Sequence, residues 1–250
     1  MFEKAKFLIK FCLNFGMFKG LWAFIKFQLG FTKNIKLPNI QFPISLRPGT
    51  TDFIIFRDIF FDNQYTVRHR NPKIIIDGGA NIGLFAILMK NKYPNSKVIC
   101  VEPDPENFIQ LKKNASVYQN VFFENYGIWN IDTKLKAHDK YNRGKWGVVV
   151  EEDKVGGTIQ AISISTLMKK HGIDYIDVLK LDIETSEIQL FSDNYQEWLP
   201  KVKEIIIELH DGFEEGCSRA FFEAINKSIP RYKLHTTRGE NLVIENLDLI

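Results

Sequence analysis

Two short runs hold the residues best suited to chemistry. "DVLKLDIE" carries Lys180, Asp182 and Glu184, and "EIIIELH" carries Glu208 and His210. In both, the ionisable residues recur at every second position, so on a strand they share one face. An imidazole with an ordinary pKa of about 6.5 can take a proton from an attacking hydroxyl, which makes His210 a candidate general base. Asp182 could orient the nucleophile or His210. Alternatively, Asp182, Glu184 and His210 could hold a divalent ion that lowers a hydroxyl's pKa. That metal reading is less favoured than acid–base work, and a purely structural ion network is the third reading. Lys180 lies deeper in its run and requires a carboxylate partner, because a buried unpaired ammonium is costly.

A second stretch, "IIIDGGANIGLF" from Ile74 to Phe85, describes a cofactor turn. An apolar strand ends in Asp77, and the chain then passes through Gly78, Gly79, Ala80, Asn81 and Gly83 into a helix. Glycines there let the backbone approach a ligand closely. Glu102 ends the next apolar strand, about 20 residues on, where an acid accepts hydrogen bonds from a ribose diol. Two cofactors fit. A nicotinamide dinucleotide would set its diphosphate on the turn, but Asp77 would then face an anion, and dinucleotide spacing would place Gly where Ala80 stands. S-adenosylmethionine carries an ammonium and a sulfonium instead, so a carboxylate attracts it. Asp77 favours the second.

These runs need a frame. From Lys73 onward, strand-like runs ("KIIID", "KVICVE", "VFFENY", "DVLKLDIE", "EIIIELH") alternate with helical ones ("NIGLFAILMKN", "PENFIQLKKNASVY", "STLMKKHG", "SEIQLFSDN", "SRAFFEAINKS"). "RYKLHTT" and "NLVIEN" read as a closing pair of strands. Continuously apolar strands predict a sheet covered on both faces, and the order predicts an open, mostly parallel α/β sheet. Between Trp129 and Ile162 the pattern loosens, with "GVVVEED" and "GTIQAIS" as added strands or an insertion over the sheet. "KYNRGKW", Lys140 to Trp146, reads as a solvated basic loop or a lid, and Trp129 and Trp146 as packing residues or sugar-stacking rings. Upstream, Pro38, Pro43 and Pro48 predict extended chain, "QFPISLR" a short strand, and Thr50 or Thr51 the cap of a helix over 52–61.

The blocks "IIIDGGANIGLFAI", "VICVEPDPENFIQLKKN", "IDVLKLDIETSEIQLF" and "EIIIELH", with the lead-in "LRPGTTDFIIFRDIFFDNQY", resemble the FkbM family of S-adenosylmethionine-dependent methyltransferases over about residues 45–250. The resemblance implies a Rossmann-like class I methyltransferase sheet: mostly parallel, seven strands, with an antiparallel closing strand. It implies O-methylation of a hydroxyl, often on a sugar of a glycan, glycolipid or glycosylated product. It also implies that Asp77, Gly78, Gly79, Ala80, Asn81 and Gly83 line the methionine and ribose end. Glu102 and Pro103 would then follow the ribose, and Asn125 and Tyr126 would border the adenine. One departure stands out: the family's Asp-x-Glu-Gly is Asp182-Ile183-Glu184-Thr185 here, which keeps alive a non-catalytic scaffold of the same fold. A nicotinamide-dependent oxidoreductase is a distant third reading.

The chain therefore divides into residues 1–35, a basic amphipathic helical extension; 36–70, a lead-in strand and helix; and 71–250, the cofactor-binding domain. Its 250 residues, 45% hydrophobic and 25% charged, suit one folded domain with a small extension. A net charge of +3 does not argue for nucleic acid. Cys12, Cys100 and Cys217 form no metal or CxxC spacing and suit a reducing cytoplasm. Within residues 1–30, lysines interrupt every apolar run too soon for a spanning helix, and no signal-peptide pattern appears. Two helices are expected there, the second over about 21–29. They would lie on the enzyme's own core or a homodimer partner, or on an anionic membrane surface at the inner face.

Overall fold

The computed structural model describes residues 2–28, 34–62, 64–139, 148–237 and 239–249. The "KYNRGKW" loop with Trp146 lies outside them. Helices α1 (Phe2–Phe15) and α2 (Met17–Gln28) form a hairpin at the N-terminus. The second begins four residues earlier than its apolar periodicity suggests, because Gly16 alone, at φ +78°, makes the turn. The "QFPISLR" stretch makes only an isolated bridge, Ile35 to Ile44, rather than a strand. Pro43 removes a donor that a ladder there would need. Helix α3 (Asp52–Phe60) completes the lead-in.

The main sheet contains β1 (Ile74–Gly78), β2 (Lys97–Val101), β3 (Val121–Glu124), β8 (Ile176–Leu181), β9 (Val202–Glu208), β10 (Tyr232–Thr236) and β11 (Asn241–Asn246). Its order is β10-β11-β9-β8-β1-β2-β3, and every pair is parallel except those made by β11, which runs antiparallel to both β9 and β10. This is the seven-stranded Rossmann-like α/β sheet expected. Strand alternation divides the core. Ile75, Val98, Val178 and Ile206 face α1, α3, α4 (Leu84–Lys92) and α5 (Pro105–Ala115). Ile76, Ile99, Leu179 and Ile205 face α6 (Ile164–His171), the one-turn α7 (Glu187–Leu190) and α8 (Cys217–Ser228). Each such aliphatic, fully buried, contributes about 1.5–3 kcal/mol.

The irregular region forms a second sheet. β4 (Gly127–Trp129), β5 (Thr133–Asp139), β6 (Val148–Glu152) and β7 (Ile159–Ser163) pair in the order β4-β7-β5-β6. Trp129 is buried with Leu135 and Ala161 inside this sheet, so it packs and does not stack on a ligand. The lead-in is clamped by charge. Arg47 forks onto the fully buried Asp52 at 2.7 and 3.0 Å and reaches Asn107 at 2.7 Å. Asn114 and Gln110 of α5 bond the backbone of Ser45.

Candidate active site

The cofactor turn leaves β1 at its carboxyl end. Asp77 is fully buried and paired in register with Lys180 of β8. The Lys180 Nζ lies 3.5 Å from Asp77 Oδ1 and 3.7 Å from Asp182 Oδ2, and donates to the Gly79 carbonyl at 2.7 Å. These are the carboxylate partners its sequence position demands. Burial works against the Lys180 charge, but the Tyr65 oxygen and the carboxylates of Asp182, Asp77 and Glu208 outweigh it and raise its pKa. Asp77 is pushed up by burial, against the pull of Lys180, and neither of its oxygens has a hydrogen-bond partner of ordinary geometry among the described residues.

Gly79 is required by closeness as well as by conformation. It sits at φ +70°, and a Cβ there would stand 1.7 Å from the Asp182 carbonyl oxygen. Gly78 faces Ile128 and Leu181. Gly79 and Ala80 donate their N–H groups to the Val101 carbonyl, each at 3.0 Å. Asn81 adopts φ +49°, and its side-chain oxygen is buried without a partner. Gly83 caps α4, and the side chain it makes room for is Leu111 of α5.

Glu102, just beyond β2, accepts from the Asn81 N–H at 2.7 Å and the Asp104 N–H at 2.9 Å, one on each oxygen. Burial raises its pKa to about 7 despite these bonds. Each oxygen retains lone-pair capacity for a ligand hydroxyl. Asn125 spends its amide on the carbonyls of Glu102 and Pro103 at 2.8 and 3.2 Å, so it shapes this loop. Tyr126 stands beneath Lys170 at 5.1 Å and lines a depression of about 620 Å³ with Lys134, Lys154 and Lys170 against the second sheet.

The acids and the histidine meet at the carboxyl ends of β8 and β9. His210 Nε2 lies 3.7 Å from Asp182, 3.8 Å from Glu208 and 3.9 Å from Glu184. Glu184 arrives there by a route the alternation did not foresee. β8 ends at Leu181, and the chain turns through left-handed Glu184 (φ +49°) and Thr185 (φ +72°). Thr185 thus holds, with a β-branched side chain, a conformation that glycine adopts freely. Burial and the Asp182 charge raise Glu184 to about 7 and Glu208 to about 8. Burial pulls His210 down, but its bond to Glu187 and the charges of Glu187, Asp182 and Glu184 prevail and lift it to about 9.

Two residues escaped the sequence reading. Glu187, fully buried on α7, lies 2.8 Å from His210 Nδ1 and so fixes the ring with Nε2 toward the acids. Its only signal was an acid three residues past Glu184, on an element too short for periodicity. Tyr65, at the end of the lead-in, places its ring 5.8 Å from Lys180 Nζ, and burial drives its phenol well above the usual range. The remaining described histidine contacts lie elsewhere: His69 faces Asp177, His171 pairs with Glu124, and His235 with Glu245. Asp182, Glu208 and His210 bring three ligand atoms within 4.8 Å of one another, so the metal-capable trio contains Glu208 where the sequence suggested Glu184.

The chain is similar to methyltransferase sdnD of Sordaria araneosa, 26% identical over 191 residues, covering 62% of this chain and 73% of that protein. It is similar to 31-O-demethyl-FK506 methyltransferase FkbM of Streptomyces tacrolimicus, 24% identical over 215 residues, covering 72% and 82%. The solved structure of methyltransferase FkbM from Methylobacillus flagellatus KT aligns with a TM-score of 0.48 at 16% identity, over 76% of this chain and 47% of that one. Residues 77–234, which hold the glycine turn, Glu102, the acid cluster and His210, match the family described as methyltransferase FkbM domain, and the chain belongs to that family.

Proposed function

We propose that this protein transfers a methyl group from S-adenosylmethionine to a hydroxyl, carried by a sugar of a glycan, glycolipid or glycosylated product. One observation carries the choice of cofactor. Asp77, Asp182, Glu184 and Glu208 crowd the ends of neighbouring strands around a single lysine and a single histidine. Such a basin favours a cationic ligand and opposes a diphosphate. The residues present fit the cofactor: among the described residues the Asp77 and Asn81 side-chain oxygens are buried without hydrogen-bond partners of ordinary geometry, and each Glu102 oxygen keeps lone-pair capacity for a ligand hydroxyl. Asp77 and the 78–83 turn would hold the methionine end, and Glu102 the ribose hydroxyls. When bound, the cofactor supplies an electrophilic methyl on a sulfonium.

The protein's own part is alignment and proton removal. Glu187 accepts from His210 Nδ1–H, leaving Nε2 of the neutral ring to take the acceptor's hydroxyl proton. Asp182, Glu184 and Glu208 then stabilise the imidazolium. With His210 titrating at about 9, the neutral ring is the minor form at pH 7, so kcat/KM rises toward alkaline pH. The Streptomyces relative, named for a 31-O-demethyl substrate, supports oxygen as the acceptor atom. The test is release of S-adenosylhomocysteine with a panel of glycosylated acceptors. His210→Ala should cost about 10²–10⁴ in turnover while retaining cofactor binding measured by calorimetry. Tight binding of a nicotinamide dinucleotide in place of S-adenosylmethionine refutes the cofactor, and binding without turnover for any acceptor leaves a scaffold. The Asp182–Glu208–His210 trio supports a second reading in which a divalent ion activates the hydroxyl. Full turnover in EDTA eliminates it.

A further inference from the structure

The N-terminal hairpin carries more apolar surface than the fold covers. α1 turns Phe7 and Phe11 into the core against Phe53 and Phe61, but Leu13 on its other side is 80% exposed. In α2, Gly20 is pressed against the α1 backbone at Phe11 and Cys12, and Phe24 packs on the core. Met17, Phe18, Leu21, Trp22 and Ile25 are all exposed, Phe18 to 85% and Trp22 to 60%. At about 100° per residue these five fill one arc of about 140°, and Phe24 and Gly20 lie beyond its Met17 edge. With Ile9 and Leu13 they account for seven large exposed apolar side chains on one hairpin. Contiguous patches of this kind mark an interaction face.

Charge identifies what covers it. The first thirty residues contain five lysines and one acid, Glu3. Lys19 is exposed and by periodicity stands at the Trp22 border of the apolar arc. An apolar arc edged by tryptophan and lysine matches a bilayer whose headgroups are anionic. No helix of the described residues is long and apolar enough to cross a membrane, so the hairpin would lie in the interface. We propose that the α1–α2 hairpin docks this protein on an anionic membrane surface, with Leu13, Phe18 and Trp22 below the headgroups and Lys19 among the lipid phosphates. The hairpin is held by the lead-in: Phe7 and Phe11 pack on Phe61, four residues before Tyr65 in the sequence. This inference does not depend on the reaction the site performs.

Flotation of the full 250-residue protein with vesicles decides it. The protein should rise with phosphatidylcholine vesicles containing about 30% phosphatidylglycerol. Binding should weaken at least about tenfold with phosphatidylcholine alone, or when salt rises from about 50 to about 500 mM. The variant Leu13→Glu with Phe18→Glu changes only exposed side chains. It should lose at least about tenfold in partitioning with unchanged circular dichroism and melting temperature. Wild-type protein that stays at the bottom with anionic vesicles, or a variant that floats equally well, overturns the proposal. A dimer by light scattering that this variant dissolves, without vesicle binding, also overturns it and assigns the face to a second copy of the chain.

Discussion

Replacing Glu187 by Gln isolates what holds His210 at about 9. Gln still accepts a hydrogen bond from Nδ1 at the observed 2.8 Å, so the ring keeps its place while the charge is lost. Unit charges about 4 Å apart interact by about 4 kcal/mol at an effective dielectric of about 20. At 1.36 kcal/mol per pH unit, that is about 3 pH units, enough to offset the burial that pulls His210 down. Asp182, Glu184 and Glu208 remain and restrain part of the fall, so His210 should titrate about 2 units lower in Glu187→Gln, near 7. Carbon-detected NMR of the five histidines, with His210 assigned through a His210→Asn variant, reads this directly. Stability must follow the same sign. A histidine raised to about 9 contributes stability that is complete below about 6.5 and is lost as pH climbs through 9. The deficit of Glu187→Gln, up to about 3 kcal/mol at neutral pH, should therefore shrink above pH 9. A fall of less than about 0.5 pH unit in the variant would refute the assignment of the shift to Glu187.

Three further perturbations probe the turns. Gly79→Ala forces a Cβ to 1.7 Å from the Asp182 carbonyl at φ +70° and should destabilise the fold by several kcal/mol, on the order of 3 or more, seen as a large drop in melting temperature; an unchanged melt contradicts the close approach. Thr185→Gly removes a β-branched residue from φ +72° and should raise stability by about 0.5–1 kcal/mol; loss of stability in denaturant titration would show that the Thr185 side chain packs more favourably than its backbone is strained. Glu102, raised to about 7, binds its proton more tightly in the folded state, so its stability contribution falls as pH rises from about 4.5 to about 7. Glu102→Gln should flatten the melting-temperature profile across that window and remove any gain in S-adenosylmethionine affinity with rising pH there; profiles that coincide with wild type would exclude Glu102 as the titrating group.

The parts of the molecule legible in the sequence are those with a repeating physical signal. Period-two alternation put Lys180, Asp182, Glu208 and His210 on one face, continuously apolar runs predicted a sheet covered on both faces, and the two buried clusters and the sheet order agree. The glycine turn was legible because only glycine fits where Gly79 meets the Asp182 backbone. Elements that depend on tertiary contact were not. Glu187 occupies a one-turn helix, and Tyr65 an irregular lead-in; both matter only because β9 and β8 bring His210 and Lys180 to them. The strand expected through Glu184 stopped at Leu181, since two left-handed residues in succession override its alternation.

In the sequence alone Asp77 reads as an uncompensated charge that favours a cationic ligand; in the fold it has a counter-ion. Lys180 balances Asp77 directly, so that residue alone cannot discriminate. The discrimination passes to the whole basin. Lys180 is already shared between Asp77 and Asp182 and tied to the Gly79 carbonyl, and His210 is committed to Glu187 on one side. Neither cation is free to meet a diphosphate. Glu184 and Glu208, by contrast, are driven up to about 7 and about 8 by burial and the Asp182 charge, so each resists ionising until positive charge arrives. A sulfonium and an ammonium would bring that charge and release the protons. Cofactor binding should accordingly expel protons into buffer near neutral pH, which calorimetry in buffers of different ionisation enthalpy measures; zero or inward proton transfer would mean that the acids do not face the ligand.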